Sequence, residues 1–313
     1  MDGIRVTRAA PSAFVERFRT ALEHLNAGRL DAAVADCDVL RHAAPDDPAV
    51  LQLRATILLR SEAPVEALRL IRRSLALRPG HVPSLIVAAR AWRAANALDQ
   101  SAEILREAVA RAPGLAEPHF LLCHALLDLN DAALAATVEE LGTRFAKHAA
   151  KWQELAVALH RAGRHDLALI AFSRAAAADL TNVPSQLSFG LALRDAGRLA
   201  EARGALQHAL ALDPTACSAW FALGLTCQDL QDEAGAAAAY DAALRCRPDF
   251  AEAAVNLGIA RQRLGDMDGA ITAYRRAVRI RPETFARIAQ AVTTAATGTL
   301  WLDLGAFRRW LDT

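Results

Sequence analysis

Six prolines set a fixed step along the chain. Pro45, Pro79 and Pro113 are 34 residues apart, and so are Pro214, Pro248 and Pro282. The 101 residues from Pro113 to Pro214 are three such steps with one residue deleted. A period of this length marks an architecture in which one small motif is stacked on copies of itself. It divides the chain into eight units, 14–47, 48–81, 82–115, 116–148, 149–182, 183–216, 217–250 and 251–284, with 1–13 as an N-terminal extension. No linker interrupts the step, so periodicity alone predicts one uninterrupted array.

Composition decides what the motif is made of. Alanine supplies 73 of 313 residues and aromatics only 5%. Alanine is the strongest helix former, whereas strands favour β-branched and aromatic side chains. The charges, 36 Lys+Arg against 35 Asp+Glu, leave a formal net charge of +1. With no basic stripe, the sequence predicts no nucleic-acid partner. No run of 18 apolar residues occurs, so no membrane insertion is expected. The first residues carry an acidic second position and no apolar core, unlike a secretory signal. Five cysteines, at 37, 123, 217, 227 and 246, form no C-x-x-C pair. That usage fits free thiols in a reducing compartment and a cytoplasmic location.

Within 217–250, Trp220, Leu223, Gly224 and Cys227 form one helical stripe, and Gln231-Asp232-Glu233 is a polar break. Ala236, Tyr240 and Ala243 form a second stripe, and Pro248 ends the unit. Leu257, Gly258, Ala270, Tyr274, Ala277 and Pro282 hold the same places in the next unit. This pattern resembles the tetratricopeptide repeat. The resemblance implies an all-α fold, a right-handed α-solenoid of eight helix pairs, over about 14–284. It is uneven: 116–148 keeps mainly Leu122 and Ala135, with Glu139 at an aromatic place and Gly142 at an alanine place. Residues 285–298 read as a capping helix with Phe285, Ile288 and Val292 on one stripe. Residues 299–313 read as an amphipathic tail.

No nucleotide loop, nucleophile elbow or zinc-protease motif is present, so neither enzymatic activity nor a cofactor is expected. His119 and Cys123 have a spacing that fits two metal ligands, but they occupy the packing places of Trp220 and Gly224. The expected function is that of a non-catalytic protein–protein interaction scaffold or adaptor. The family lines a concave groove with the first helix of each unit, which here places Phe18, Ile86, Phe120, Leu187 and Phe221 as apolar positions on that face. Inter-unit packing is the alternative reading of this row. Arg60, Arg90 and Arg93 cluster across units two and three and would hold acidic groups of a peptide. His124, Asp128, Arg161, Arg194, Asp229 and Arg263 extend the charged face. On this reading Phe120→Glu abolishes capture and leaves the helices intact.

Two recognition modes of the family are not matched. The Lys and Asn clamp for a C-terminal carboxylate is missing, and the Asn ladder of sugar-transferring relatives is reduced to Asn256. A second reading makes the chain a substrate-recruiting arm of a bacterial glycosyltransferase, sulfotransferase or oxygenase system. For the tail three roles stay open: capping, self-association into a homo-oligomer, or docking to another protein through Trp301, Phe307 and Trp310.

Overall fold

The computed structural model describes residues 11–293. Among them the regular structure is helical, and the helices come in pairs. The first four pairs are α1 (Pro11–Asn26) with α2 (Leu30–Ala43), α3 (Pro48–Arg60) with α4 (Pro64–Leu77), α5 (Val82–Ala94) with α6 (Leu98–Arg111), and α7 (Ala116–Asp128) with α8 (Leu134–Arg144). The next four are α9 (Ala149–Arg161) with α10 (His165–Ala178), α11 (Val183–Asp195) with α12 (Leu199–Leu212), α13 (Cys217–Asp229) with α14 (Glu233–Cys246), and α15 (Ala251–Arg263) with α16 (Met267–Ile280). A single 3-10 turn, Pro282–Thr284, leads into α17 (Phe285–Thr293). Where periodicity predicts an unbroken array, the chain forms two compact units, one ending at Phe145 and the other starting at Ala146.

Local chemistry sets where the helices begin and end. Asp47 caps α3 by accepting from the amides of Ala49 and Val50, and Pro48 opens the helix with its φ already helical. Asn182, Asp232 and Asp266 cap α11, α14 and α16 in the same way. The turn inside every pair reverses the chain through one residue of positive φ. Glycine fills that position at Gly28, Gly163, Gly197 and Gly265, and Glu62, Asn96, Asn130 and Gln231 fill it in the other four pairs. Glycine adopts this conformation without steric cost, so Glu62 and Gln231 are held there by the helices on either side.

Small residues let the two helices of a pair nest. A Cβ on Gly224 would lie 2.5 Å from the Tyr240 ring, and one on Gly190 would lie 2.8 Å from Leu206. In other pairs Ala55 and Ala89 face the smaller Ile71 and Leu105, all four buried. The volume lost on one helix is gained on its partner, as close packing requires. Each buried tyrosine also satisfies its hydroxyl: Tyr274 donates to Gln262 at 2.7 Å, and Tyr240 donates to Gln228.

The pair α7/α8 departs from expectation. Leu134, Val138 and Leu141 are fully buried, whereas Ala135 and Glu139 are exposed. The deleted residue therefore lies in the turn before α8. Shifting a helix by one position rotates it by about 100°, which turns Glu139 to solvent and Val138 inward. The assignment of Ala135 and Glu139 to packing places is corrected accordingly.

At the other end α17 covers α15. Ile288, Ala289 and Val292 join the apolar cluster that runs back to Leu206. Arg287 donates to the Asn256 side chain at 2.7 Å, and Gln262 donates to the Ala291 carbonyl at 3.3 Å. Residues 1–10 and 294–313 lie outside the described residues, and with them the end of the proposed capping helix, the tail, and Trp301, Phe307 and Trp310.

Candidate functional site

The first helices of neighbouring pairs pack side by side in both units, with α3 against α5 and α11 against α13. Their shared face carries the residues singled out from the sequence, and the structure sorts these into two groups.

Most of the apolar row is packing. Ile86 is 6% exposed and Phe120 3%. These two are corrected from ligand anchors to packing residues, because a side chain with so little accessible surface offers almost nothing to a partner. Phe120→Glu would bury a charge and unfold the pair, so it does not test binding. Phe18 is half-buried against the cluster of Ala21 and Leu53, and Leu187 and Phe221 lean on the cluster of α13–α16. Phe221 stacks on Phe250 with ring centroids 4.6 Å apart.

Most of the charges are already paired. Arg90 donates to Glu117 and Arg93 to Asp128, both at 2.6 Å, which ties α5 to α7. Arg194 and Asp229 repeat the second pair between α11 and α13, again at 2.6 Å. Arg263 meets Glu233 at 2.7 Å. Such half-exposed pairs contribute about 0.2–1 kcal/mol each, and they lower the positive potential a ligand would meet. His124 is half-buried on α7. Arg60 and Arg161 are exposed and meet no carboxylate among the described residues.

Arg60 stands at a pit. Thr56, Leu59 and Arg60 of α3 and Val87, Arg90 and Ala94 of α5 enclose about 240 Å³. The pit is mainly apolar, with two guanidinium groups on its wall, one of them engaged by Glu117. The sequence reading found Arg60 and Arg90 and missed Leu59, Thr56 and Ala94. Leu59 and Arg93 end their first helices at matching positions, one apolar and one charged. That contrast was the available signal.

His119 and Cys123, the pair with metal-ligand spacing, are packed into the interior. His119 is buried, its Nδ1 lies 2.9 Å from the Leu115 carbonyl and its ring packs on Phe145 at 4.8 Å. Cys123 is buried beside it, and burial pushes its thiol up to about 12. Among the described residues no three His, Cys, Asp or Glu side chains converge as metal ligands.

The family model described as tetratricopeptide repeat matches residues 18–82, 187–249 and 228–283, together more than half of the chain. The chain belongs to the tetratricopeptide repeat family. No curated protein matches it by sequence. Among solved structures, the C-terminal part of a TPR repeat-containing protein from Cytophaga hutchinsonii is similar at TM-score 0.59 and 11% identity, covering 77% of this chain and 99% of that one. MamA aligns at TM-score 0.41 and 17% identity over 63% of this chain and 95% of its own. YrrB, described as a TPR protein with an unusual peptide-binding site, aligns at 0.42 and 16% over 69% and 95%. The first of these agrees with the fold seen here, stacked tetratricopeptide helix pairs. The tetratricopeptide match skips 83–186, the stretch that contains the shortened pair α7/α8. No helix among the described residues is long and apolar enough to cross a membrane.

Proposed function

We propose that this tetratricopeptide protein is a non-catalytic interaction scaffold that holds a peptide segment on the first-helix face of its N-terminal unit. The pit between α3 and α5 is the anchoring point. Its apolar wall of Leu59, Val87 and Ala94 takes one aliphatic side chain, and Arg60 takes an acidic group next to it. The observation that carries this reading is the contrast between Arg60 and its neighbours. Arg90 and Arg93 have carboxylates of their own chain, and Glu117 would repel a ligand acid placed beside Arg90. Arg60 is left with charge to give at the edge of an apolar pit. Arg161, Arg194 and Arg263 lie on the other unit and have no part in it.

A peptide-library selection on the full chain tests this. Selected peptides should share an aliphatic residue beside Asp or Glu. A charge-assisted hydrogen bond is worth roughly 1.5–3 kcal/mol, so Arg60→Glu should weaken them at least about tenfold. Arg60 is exposed, so the helical signal should stay unchanged. Peptides without such a consensus, or with equal affinity for Arg60→Glu, would contradict the reading.

A further inference from the structure

Three of the five cysteines, Cys37, Cys123 and Cys227, are buried, whereas Cys217 and Cys246 are half-buried. These two sit at one end of a single helix pair. Cys217 is the first residue of α13 and Cys246 the last of α14, and antiparallel packing of the two helices brings those ends together. The adjoining pairs fill the same two places with Val183 and Leu212, and with Ala251 and Ile280.

Both thiols rest on one loop. The Cys217 Sγ donates to the Thr215 carbonyl at 3.5 Å, and the Cys246 Sγ lies 4.0 Å from the carbonyl of the preceding residue, Pro214. That loop is held from two sides. The Asp213 carboxylate accepts from the Thr215 amide at 2.9 Å and from its hydroxyl at 2.7 Å. The Trp220 indole Nε1 donates to the Pro214 carbonyl at 2.8 Å. Two sulfurs seated on consecutive carbonyls of a fixed loop also feel each other. Burial pushes the Cys246 thiol up, and the Cys217 sulfur beside it pushes it further, by hydrogen bonding and by charge.

We infer that Cys217 and Cys246 are a site of reversible oxidation, joined by a hydroperoxide into a disulfide that clasps α13 to α14. One sulfur, as its thiolate, attacks the O–O bond of the peroxide and becomes a sulfenic acid, while the departing hydroxide takes up a proton. The second sulfur then displaces the sulfenic oxygen, which leaves as water. Two thiols thereby give two electrons and two protons to one hydrogen peroxide, and two waters result. Because the second sulfur is already in place, this step is intramolecular and outruns further oxidation. Cys37, Cys123 and Cys227 are shielded by their burial, since access governs which thiols react. The new bond closes a whole helix pair into one loop, which restrains the unfolded chain and stabilises the folded one.

The test treats the full chain with an equimolar amount of hydrogen peroxide, alkylates the remaining thiols under denaturant and maps the peptides by mass spectrometry. The expected product is a peptide pair joined through Cys217 and Cys246 within one chain, with Cys37, Cys123 and Cys227 alkylated. Dithiothreitol should return all five thiols. Cys217→Ser and Cys246→Ser should each lose the crosslink, and in at least one of them dimedone should trap a sulfenic acid on the remaining cysteine. The oxidised wild type should melt higher than the reduced protein by on the order of 5 °C, a rise absent from both serine variants. The inference fails if both thiols alkylate as before, or if peroxide preferentially joins other cysteines or separate chains. It also fails if the two sulfurs run on to sulfinic acids without the crosslink. A crosslink that does not raise the melting temperature would overturn the clasp.

Discussion

Gly224 and Tyr240 show how single residues set the spacing of a helix pair. With a Cβ only 2.5 Å from the ring, Gly224→Ala forces Tyr240 aside in a packed interior. Overpacking of this kind costs about 1–3 kcal/mol. Replacing Tyr240 with Leu in the same chain recreates the pairing of Ala89 with Leu105. The double variant should therefore be less destabilised than the sum of the singles, by about 1 kcal/mol in a denaturation cycle. Additive losses would contradict the volume exchange. Burial has a second consequence at this scale. Cys123 is pushed up to about 12, while an unfolded thiol titrates near 8.5. Between those values the unfolded chain releases a proton that the folded chain keeps. Stability is complete below the unfolded value and falls as pH rises through the window, by about 2 kcal/mol at pH 10. Melting of Cys123→Ala should fall less steeply between pH 9 and 11 than melting of the wild type. Parallel slopes would place the alkaline loss elsewhere, for instance on Tyr240 and Tyr274, whose hydroxyls burial also pushes up.

At the scale of the element, α8 shows where sequence reading works and where it stops. The stripes of α13 to α16 were legible because Gly, Tyr, Ala and Pro recur there at fixed places. In 116–148 the deletion was visible but its position was not, since a one-residue shift before or after the turn preserves the step. Only burial locates it. Val138→Ala should then cost about 2 kcal/mol in chemical denaturation, and Glu139→Ala should stay within about 0.5 kcal/mol. The reverse order would restore the unshifted alignment. The face of the first helices was legible in the same partial way. Its helix and register followed from the repeat, but the depth of each side chain depends on neighbours in the next pair. Ile86 and Phe120 therefore proved to be packing residues, and Arg90 and Arg93 proved to be neutralised by Glu117 and Asp128.

For the whole molecule, a near-zero net charge conceals an uneven distribution. On the first-helix face Arg90, Arg93 and Arg194 are matched by carboxylates of the neighbouring first helix, whereas Arg60 stands at its apolar pit without one. A scaffold built this way has low non-specific attraction and reserves its charge for chosen places. The central claim is that a peptide sits on the first-helix face at α3 and α5. Photo-crosslinking tests it most directly, with benzoylphenylalanine placed at Thr56 on the pit wall or at Val65, 74% exposed on the second helix α4. Library-selected peptide should crosslink at position 56 and not at 65. Crosslinking at position 65 in equal or greater yield would contradict the account.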